Sequence, residues 1–176
     1  MQIQVKRYFI IILIVNIINR FFNLFLLAIR FQQGYAQFPV GIYFYPEFTF
    51  MIWIKPLSYN NYQRVFDFGN GYSNRNLVLA FIAKTSGALL FVNGKLKQTT
   101  DVFPLNIWTH VVVTSTNKDI IFYLNGEQKL VVNGSLERTE TKLNYIGKSL
   151  YAIDSIIDAV LDEFKIFDRS LTKEEI

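Results

Sequence analysis

The stretch WTHVVVTSTNKDIIFYLNGEQKLVV, residues 108–132, holds the chain's only histidine and one of its two tryptophans. In an extended strand, Trp108, His110 and Val112 fall on one side and Val111 and Val113 on the other. A strand that is apolar on both sides belongs in the middle of a sheet packed on one face and partly covered on the other. Residues 120–124 read as the next strand. Asn125-Gly126 then supplies the two positive φ angles of a type I′ turn, which returns the chain into 129–132. A catalytic histidine needs a nucleophile or an orienting carboxylate in reach. The local sequence offers neither, so His110 is expected to be structural, between sheets or near an edge.

Outward from this hairpin, short apolar runs alternate with turns. They are YAQF (35–38), FTFMIWIK (48–55), QRVFDF (63–68), NLVLAFIA (76–83), ALLFV (88–92), LNYIG (143–147) and LDEFKIF (161–167). Asn-Gly also occurs at 70–71, 93–94 and 133–134. Many short strands with this punctuation predict an all-β, antiparallel two-sheet β-sandwich rather than alternating strands and helices. One segment dissents. In DSIIDAVLDEFKIF (154–167), Ile157, Val160, Leu161 and Phe164 have helical spacing, and periodicity alone predicts a helix.

Of the 18 Lys and Arg, four (Lys6, Arg7, Arg20, Arg30) lie in the first 32 residues, which contain no acid; the other 14 balance 14 Asp and Glu. The basic pI of about 9.2 therefore belongs to the leader. A neutral body excludes the basic face that a nucleic-acid binder needs. With no cysteine, disulfides, thiolate metal sites and thiol nucleophiles are excluded together. Residues 1–32 read as a signal peptide or a membrane anchor. One version is a basic start and the apolar core YFIIILIV; the other is an uncleaved span over 8–29 with Lys6 and Arg7 on the cytoplasmic side. A buried apolar segment is the remaining alternative. Either membrane-directed reading carries residues 33–176 to an extracellular or cell-surface location. There Asn133-Gly134-Ser135, the chain's N-glycosylation sequon, becomes a modification site.

Several stretches imitate chemistry. Asp67-Phe68-Gly69 matches the kinase metal-binding tripeptide without its companion loops. Gly147-Lys148-Ser149 resembles the end of a phosphate loop, but Lys142 occupies the position that loop reserves for glycine. Asp154, Asp158 and Asp162 lack calcium-loop spacing. Tyr59, Tyr62, Tyr72 and Tyr151 fall in loops, where rings either close the core or stack on sugars; core closure is the expectation.

Taken in order, FTFMIWIKPL (48–57), RVFDFGNG (64–71), NIWTHVVVT (106–114), IIFYLNGEQ (120–128), NYIGKS (144–149) and LDEFKIFDRSLTKEEI (161–176) resemble the laminin-G-like jelly-roll family of the concanavalin A-like lectin/glucanase superfamily. The resemblance covers about residues 34–176. It implies a jelly roll over 33–176, a strand rather than a helix at 161–167, and a closing helical turn where Thr172 and Glu175 form a capping box. It also implies a non-catalytic recognition module for glycan or protein ligands, in some relatives with calcium. Asp162, with Asp158 nearby, is the candidate calcium pair, although RFQQGYAQF lacks the carboxylate such relatives place in their first strand. An adhesion domain with only protein partners is one alternative. A degenerate glycosidase is another, and it would need paired carboxylates across a groove. Asp162 and Glu163, being sequential, are expected on opposite sides of their strand, so no enzyme activity is expected.

Overall fold

The computed structural model describes residues 4–5, 28–71, 75–81 and 87–176. They form two large antiparallel sheets packed face to face, with no helix among them. The seven-stranded sheet runs β1 (Gln4–Val5), β3 (Ala36–Phe38), β14 (Leu143–Ile146), β6 (Arg64–Gly69), β7 (Leu77–Phe81), β8 (Ala88–Val92), β9 (Lys95–Gln98). The six-stranded sheet runs β12 (Glu127–Asn133), β11 (Asp119–Leu124), β10 (Thr109–Ser115), β5 (Phe48–Pro56), β15 (Asp158–Phe167), β2 (Ile29–Gln32). A short ribbon pairs β4 (Gly41–Phe44) with β13 (Thr139–Thr141) at one end. Among the described residues, each apolar run from YAQF onward falls mainly on one of these strands.

The central hairpin behaves as its sequence dictates. β10 lies between β11 and β5, with Val111 and Val113 in the core between the sheets. Asn125 (φ 49) and Gly126 (φ 78) form the left-handed pair that joins β11 to β12. Asn93 (φ 44) and Gly94 (φ 85) do the same between β8 and β9. At 70–71 and 133–134 only the glycine turns left-handed, so those Asn-Gly pairs are not type I′ turns.

Aromatic rings fill the core. Phe50 alone meets Phe44, Phe48, Phe66, Phe68 and Phe164 at centroid separations of 5.2–6.1 Å. Such tilted and edge-to-face pairs add about 0.5–1.5 kcal/mol each beyond the area they bury.

Residues 158–167 are one strand, and a bulge explains why they imitate a helix. Asp162 pairs with Trp53 and Lys165 with Met51, so the regular pairing is interrupted between them. Ile157, Ala159 and Leu161 point inward at period two; after the bulge Phe164 and Ile166 resume the inward face. The phase jump produces the three- and four-residue spacings that a helix would show. Glu163 at the bulge has φ 47.

The outer face of the six-stranded sheet is half covered by the chain's own C-terminal segment. The Thr49 and Thr114 hydroxyls share a hydrogen bond of 2.8 Å. Thr49 Oγ1 also donates to the Arg169 carbonyl and accepts from the Leu171 amide, while Thr114 Oγ1 meets Ser170 Oγ at 3.0 Å. The expected closing helix is a single turn. Glu175 accepts from the Thr172 amide at 2.9 Å, which supplies one half of the capping box.

One strand precedes residue 33 in the six-stranded sheet: Ile29–Gln32 pairs with Asp158–Leu161, and Phe31 is buried. The rest of the expected signal or membrane span, 8–27, lies outside the described residues. Among the described residues no helix is long and apolar enough to cross a membrane.

Candidate functional site

A row of paired side chains crosses the outer face of the seven-stranded sheet. Register places Gln37, Tyr145, Asp67, Val78, Phe91 and Leu96 side by side on six neighbouring strands. Two charged groups interrupt this surface, and both come from β6. Arg64 is 7 % exposed and Asp67 1 %. Charged side chains are this deeply buried only when paired. The Arg64 Nη2 donates to Asp154 Oδ2 at 2.7 Å, and its Nε stands 3.9 Å from Asp67 Oδ2. Asp67 Oδ2 accepts the Leu150 amide at 3.0 Å, and Ser149 Oγ donates to Asp154.

These bonds fasten the segment 147–157 onto the sheet. Gly147 opens it, with φ 81 and an amide that donates to the Val65 carbonyl at 3.1 Å. A Cβ on Gly147 would lie 2.6 Å from Ile157 Cγ2, so backbone conformation and space both select glycine there. The neighbouring segment 57–63 is tied to it by the Ser155 amide on Asn61 O and by Gln63 Nε2 on Ile156 O. Between segments and sheet lies a groove of about 160 Å³. Val78, Phe91 and Leu96 form its floor, Tyr62 and Tyr151 its walls, and Arg64 and Asn76 its polar lining. Tyr62 (46 % exposed, φ 52) stands over the Arg64 guanidinium at 5.7 Å. Holding a tyrosine in this left-handed conformation costs of order 1–3 kcal/mol.

The polar centre has unused hydrogen-bonding capacity. Arg64 Nε and Nη1 and Asp67 Oδ1 are buried without a hydrogen-bond partner. Burial pushes the Asp67 carboxyl up to about 6, against the opposing pull of the Leu150 amide and the Arg64 charge. The groove thus presents the Arg64 donors and two rings beside a narrow apolar floor, with Asp67 buried behind Arg64. Such a set suits a small ring that is apolar on its face and hydroxylated at its edge.

The residues singled out in the sequence scatter. Asp158 and Asp162 lie in one strand four residues apart, about 13 Å at an extended rise. They cannot share an ion, and among the described residues no three His, Cys, Asp or Glu are grouped for a metal. Asp158 alone keeps a buried, unpartnered Oδ1, far short of the six to eight oxygens calcium takes. The donor set does not fit calcium. Asn133 ends β12 and is exposed, with Nδ2 3.4 Å from Asp119 Oδ1. His110 is neither between the sheets nor at an edge: it faces outward from the middle of the six-stranded sheet, against Trp53. The bulge also sets aside the expectation that Asp162 and Glu163 oppose each other. Asp162 is paired with Trp53, and Glu163 is exposed and bonds Lys165 at 2.7 Å, beside Met51.

Of the loop tyrosines, Tyr62 and Tyr151 line the groove instead of closing the core. Tyr59 donates to the Phe103 carbonyl, and Tyr72 lies outside the described residues. Sequence reasoning passed over Arg64 and set Asp67 and Asp154 aside as imitations of other motifs. The available signal was two charges three apart in QRVFDF, a strand otherwise wholly buried.

Comparison with known proteins now decides the family. A family model described as the concanavalin A-like lectin/glucanases superfamily, of the laminin G type, matches residues 32–176. The chain belongs to that superfamily. No curated protein sequence matches it. Among solved structures, domain 4 of AbnA, an extracellular GH43 arabinanase from Geobacillus stearothermophilus, in complex with arabinotriose, is similar with TM-score 0.69 and 17 % identity. That match covers 84 % of this chain and 73 % of that one. A putative carbohydrate binding protein from Bacteroides ovatus follows with TM-score 0.67 and 16 % identity, over 84 % of this chain and 45 % of its own. Trypanosoma rangeli sialidase in complex with sialic acid has TM-score 0.65 and 16 % identity, over 84 % and 26 %. At these identities the likeness establishes the concanavalin A-like fold. The chain spans less than half of the second protein and about a quarter of the third.

Proposed function

We propose that this domain is a non-catalytic carbohydrate-binding module that seats one sugar ring in the groove between Tyr62 and Tyr151. The observation that carries the reading is the buried Arg64 in the lining of the groove, with Nε and Nη1 unpartnered beneath a tyrosine ring. An isolated buried donor or acceptor costs about 1–3 kcal/mol. A ligand that slips under Tyr62 and supplies hydroxyls recovers that cost, because a hydroxyl both donates and accepts. The groove is smaller than the ~300–1,000 Å³ of pockets for drug-sized ligands, which suits one ring at the end or edge of a glycan. The arabinotriose held by the AbnA domain and the carbohydrate-binding description of the Bacteroides protein support the ligand class. The apolar leader supports an extracellular or cell-surface setting, with Asn133 as an exposed acceptor.

One observation favours a hydrolase reading: Asp67 holds its proton to about 6, as a general acid must, and Asp154 binds the same guanidinium. Against it, neither carboxylate lines the groove, and Asp154 is committed to both Arg64 and Ser149. Binding without turnover is the better supported function.

The test is a glycan array probed with the full chain, in calcium and again in chelator, followed by hydrolysis assays on every glycan bound. The expected result is specific binding that survives chelation, falls about tenfold (~1.4 kcal/mol) in Tyr151→Ala, and is not followed by cleavage. Silence from the folded chain would refute the reading and transfer the function to protein adhesion. Release of sugar would establish the hydrolase.

A further inference from the structure

The charges around the groove argue against the ligand that an arginine ordinarily invites. Arg64 is the single charged residue in the lining; the rest are aromatic, aliphatic or amide side chains. A guanidinium is shaped to grip a carboxylate, so a lone arginine in a sugar site would point to an acidic sugar. Here that grip is already taken. Asp154 receives Nη2 at 2.7 Å, and Asp67 Oδ2 stands 3.9 Å from Nε. All three side chains are buried. One cation thus faces two carboxyl groups. With both ionised the cluster is negative, and with one protonated it is neutral; neither state has positive charge to spare.

The described lysines on the surrounding elements point elsewhere. Lys148 lies over the Tyr35 and Tyr145 rings, 4.4 and 4.8 Å from their centroids. Lys95 and Lys97 alternate with Leu96 along β9 and so leave the sheet on its other side, where Lys95 donates to the Asn133 carbonyl at 2.8 Å. Arg75 is exposed and not part of the lining. What Arg64 offers a ligand is hydrogen bonds: Nε and Nη1 have no partner. A hydroxyl or ring oxygen accepts them without bringing a charge. A carboxylate would accept them too, but it would stand out of water beside two like charges. Juxtaposed like charges are a strong means of turning a ligand away.

We propose that the groove selects neutral sugars and rejects acidic ones such as uronates, and that Asp154, which lies outside the lining, is the residue that sets this choice. That selectivity presupposes the carbohydrate reading above and narrows its ligand class. Asp154 acts through Arg64: it holds the guanidinium by Nη2, leaves Nε and Nη1 unbonded, and cancels the charge. Ser149 donates to the same Oδ2 at 2.7 Å and keeps the carboxylate in place. Asp67 adds a share that depends on pH. It is faced by Arg64 on its own strand, Tyr145 on β14, Val78 on β7, and Asp154 with the Leu150 amide in the segment above. Burial raises its carboxyl to about 6, so Asp67 is neutral in mild acid and charged at higher pH. Rejection of acidic sugars is therefore weaker in mild acid and stronger above it.

The experiment runs the full chain over an array of neutral and acidic glycans at about pH 8 and about pH 5, on either side of the Asp67 transition. The array includes matched pairs that differ only at C6: galactotriose beside trigalacturonate, and cellotriose beside its C6-oxidised form. At the higher pH every retained glycan should be neutral, and its acidic partner should bind at least about tenfold more weakly. The gap should narrow at the lower pH. Asp154→Asn keeps an acceptor for Arg64 and Ser149 without the charge. It should raise the affinity for the acidic partner about tenfold and change the neutral one little, whereas loss of a merely structural contact would weaken both together. Should circular dichroism show that this variant does not fold, the two-pH comparison of the wild-type chain decides alone. An acidic glycan bound as tightly as its neutral partner at the higher pH overturns the selectivity and leaves the groove standing. Silence from neutral and acidic glycans alike refutes the groove and its selectivity together.

Discussion

Replacing Asp67 by asparagine tests whether burial or the neighbouring arginine governs the centre of the groove. Asp67 is 1 % exposed, and its carboxyl is raised from 3.8 to about 6. A raised carboxyl means that between those values the unfolded chain has released the proton and the folded chain still holds it. Folding stability therefore falls as pH climbs from about 4 to about 6, is fully present below, and is flat above. The size follows from the rise: roughly two pH units at 1.36 kcal/mol each gives about 3 kcal/mol. The asparagine side chain keeps an acceptor for the Leu150 amide and cannot ionise, so Asp67→Asn removes the slope without removing that bond.

The assay is urea unfolding of both proteins at half-unit steps from about pH 3.5 to 8, a range that brackets the window of the linkage. Only the difference between the two stabilities is read, because His110 and the surface carboxylates titrate in both. The wild type should lose about 3 kcal/mol relative to the variant across that window, and none of it above about pH 7. If instead the Arg64 charge at 3.9 Å outweighs desolvation, the carboxyl lies below 3.8 and the difference slopes the other way, with wild-type stability lost on acidification. That outcome, or a flat difference, would refute the account of the polar centre.

Other perturbations act through separate causes. Phe50→Ala empties a site ringed by five phenylalanines and should cost about 3–5 kcal/mol in urea unfolding, a large share of the ~5–15 kcal/mol an ordinary domain has. Gly147→Ala puts a Cβ against Ile157 at φ 81. It should cost about 1–3 kcal/mol and weaken glycan capture, because the segment carrying Tyr151 starts there. Millimolar calcium against chelator should leave Tm unchanged, since Asp158 and Asp162 stand about 13 Å apart along one strand.

What was legible in the sequence, and what was not, divides along the range of the interactions. The strands showed because residues such as Val111, Val113, Phe50 and Ile52 are apolar for a reason that acts within each strand, the alternation of the pleat. The turns at 93–94 and 125–126 showed because positive φ is a local demand. The short strands Ile29–Gln32, Gly41–Phe44, Lys95–Gln98 and Thr139–Thr141 did not show, since three or four residues are too few for an alternation to stand out. Lys95–Gln98 is exposed throughout.

The candidate sites were hidden for a different reason. Arg64 and Asp154 are ninety residues apart, and nothing in QRVFDF reveals that its arginine has a carboxylate waiting in a distant loop. Only register across β14, β6 and β7 turns scattered residues into a row. The bulge makes the same point most sharply, because it is a tertiary event written in a local pattern. The one extra residue at 163–164 shifts the phase of β15 so that Leu161 and Phe164 both reach the core, and any reader of periodicity hears a helix. That same shift leaves Glu163 exposed and paired with Lys165, which stands opposite Met51. A regular strand would keep its inward residues at period two, lose the helical echo, and turn Glu163 inward. The irregularity that defeats pattern reading is therefore also what keeps Glu163 out of the core, and local sequence rules fail here because the backbone departs from them.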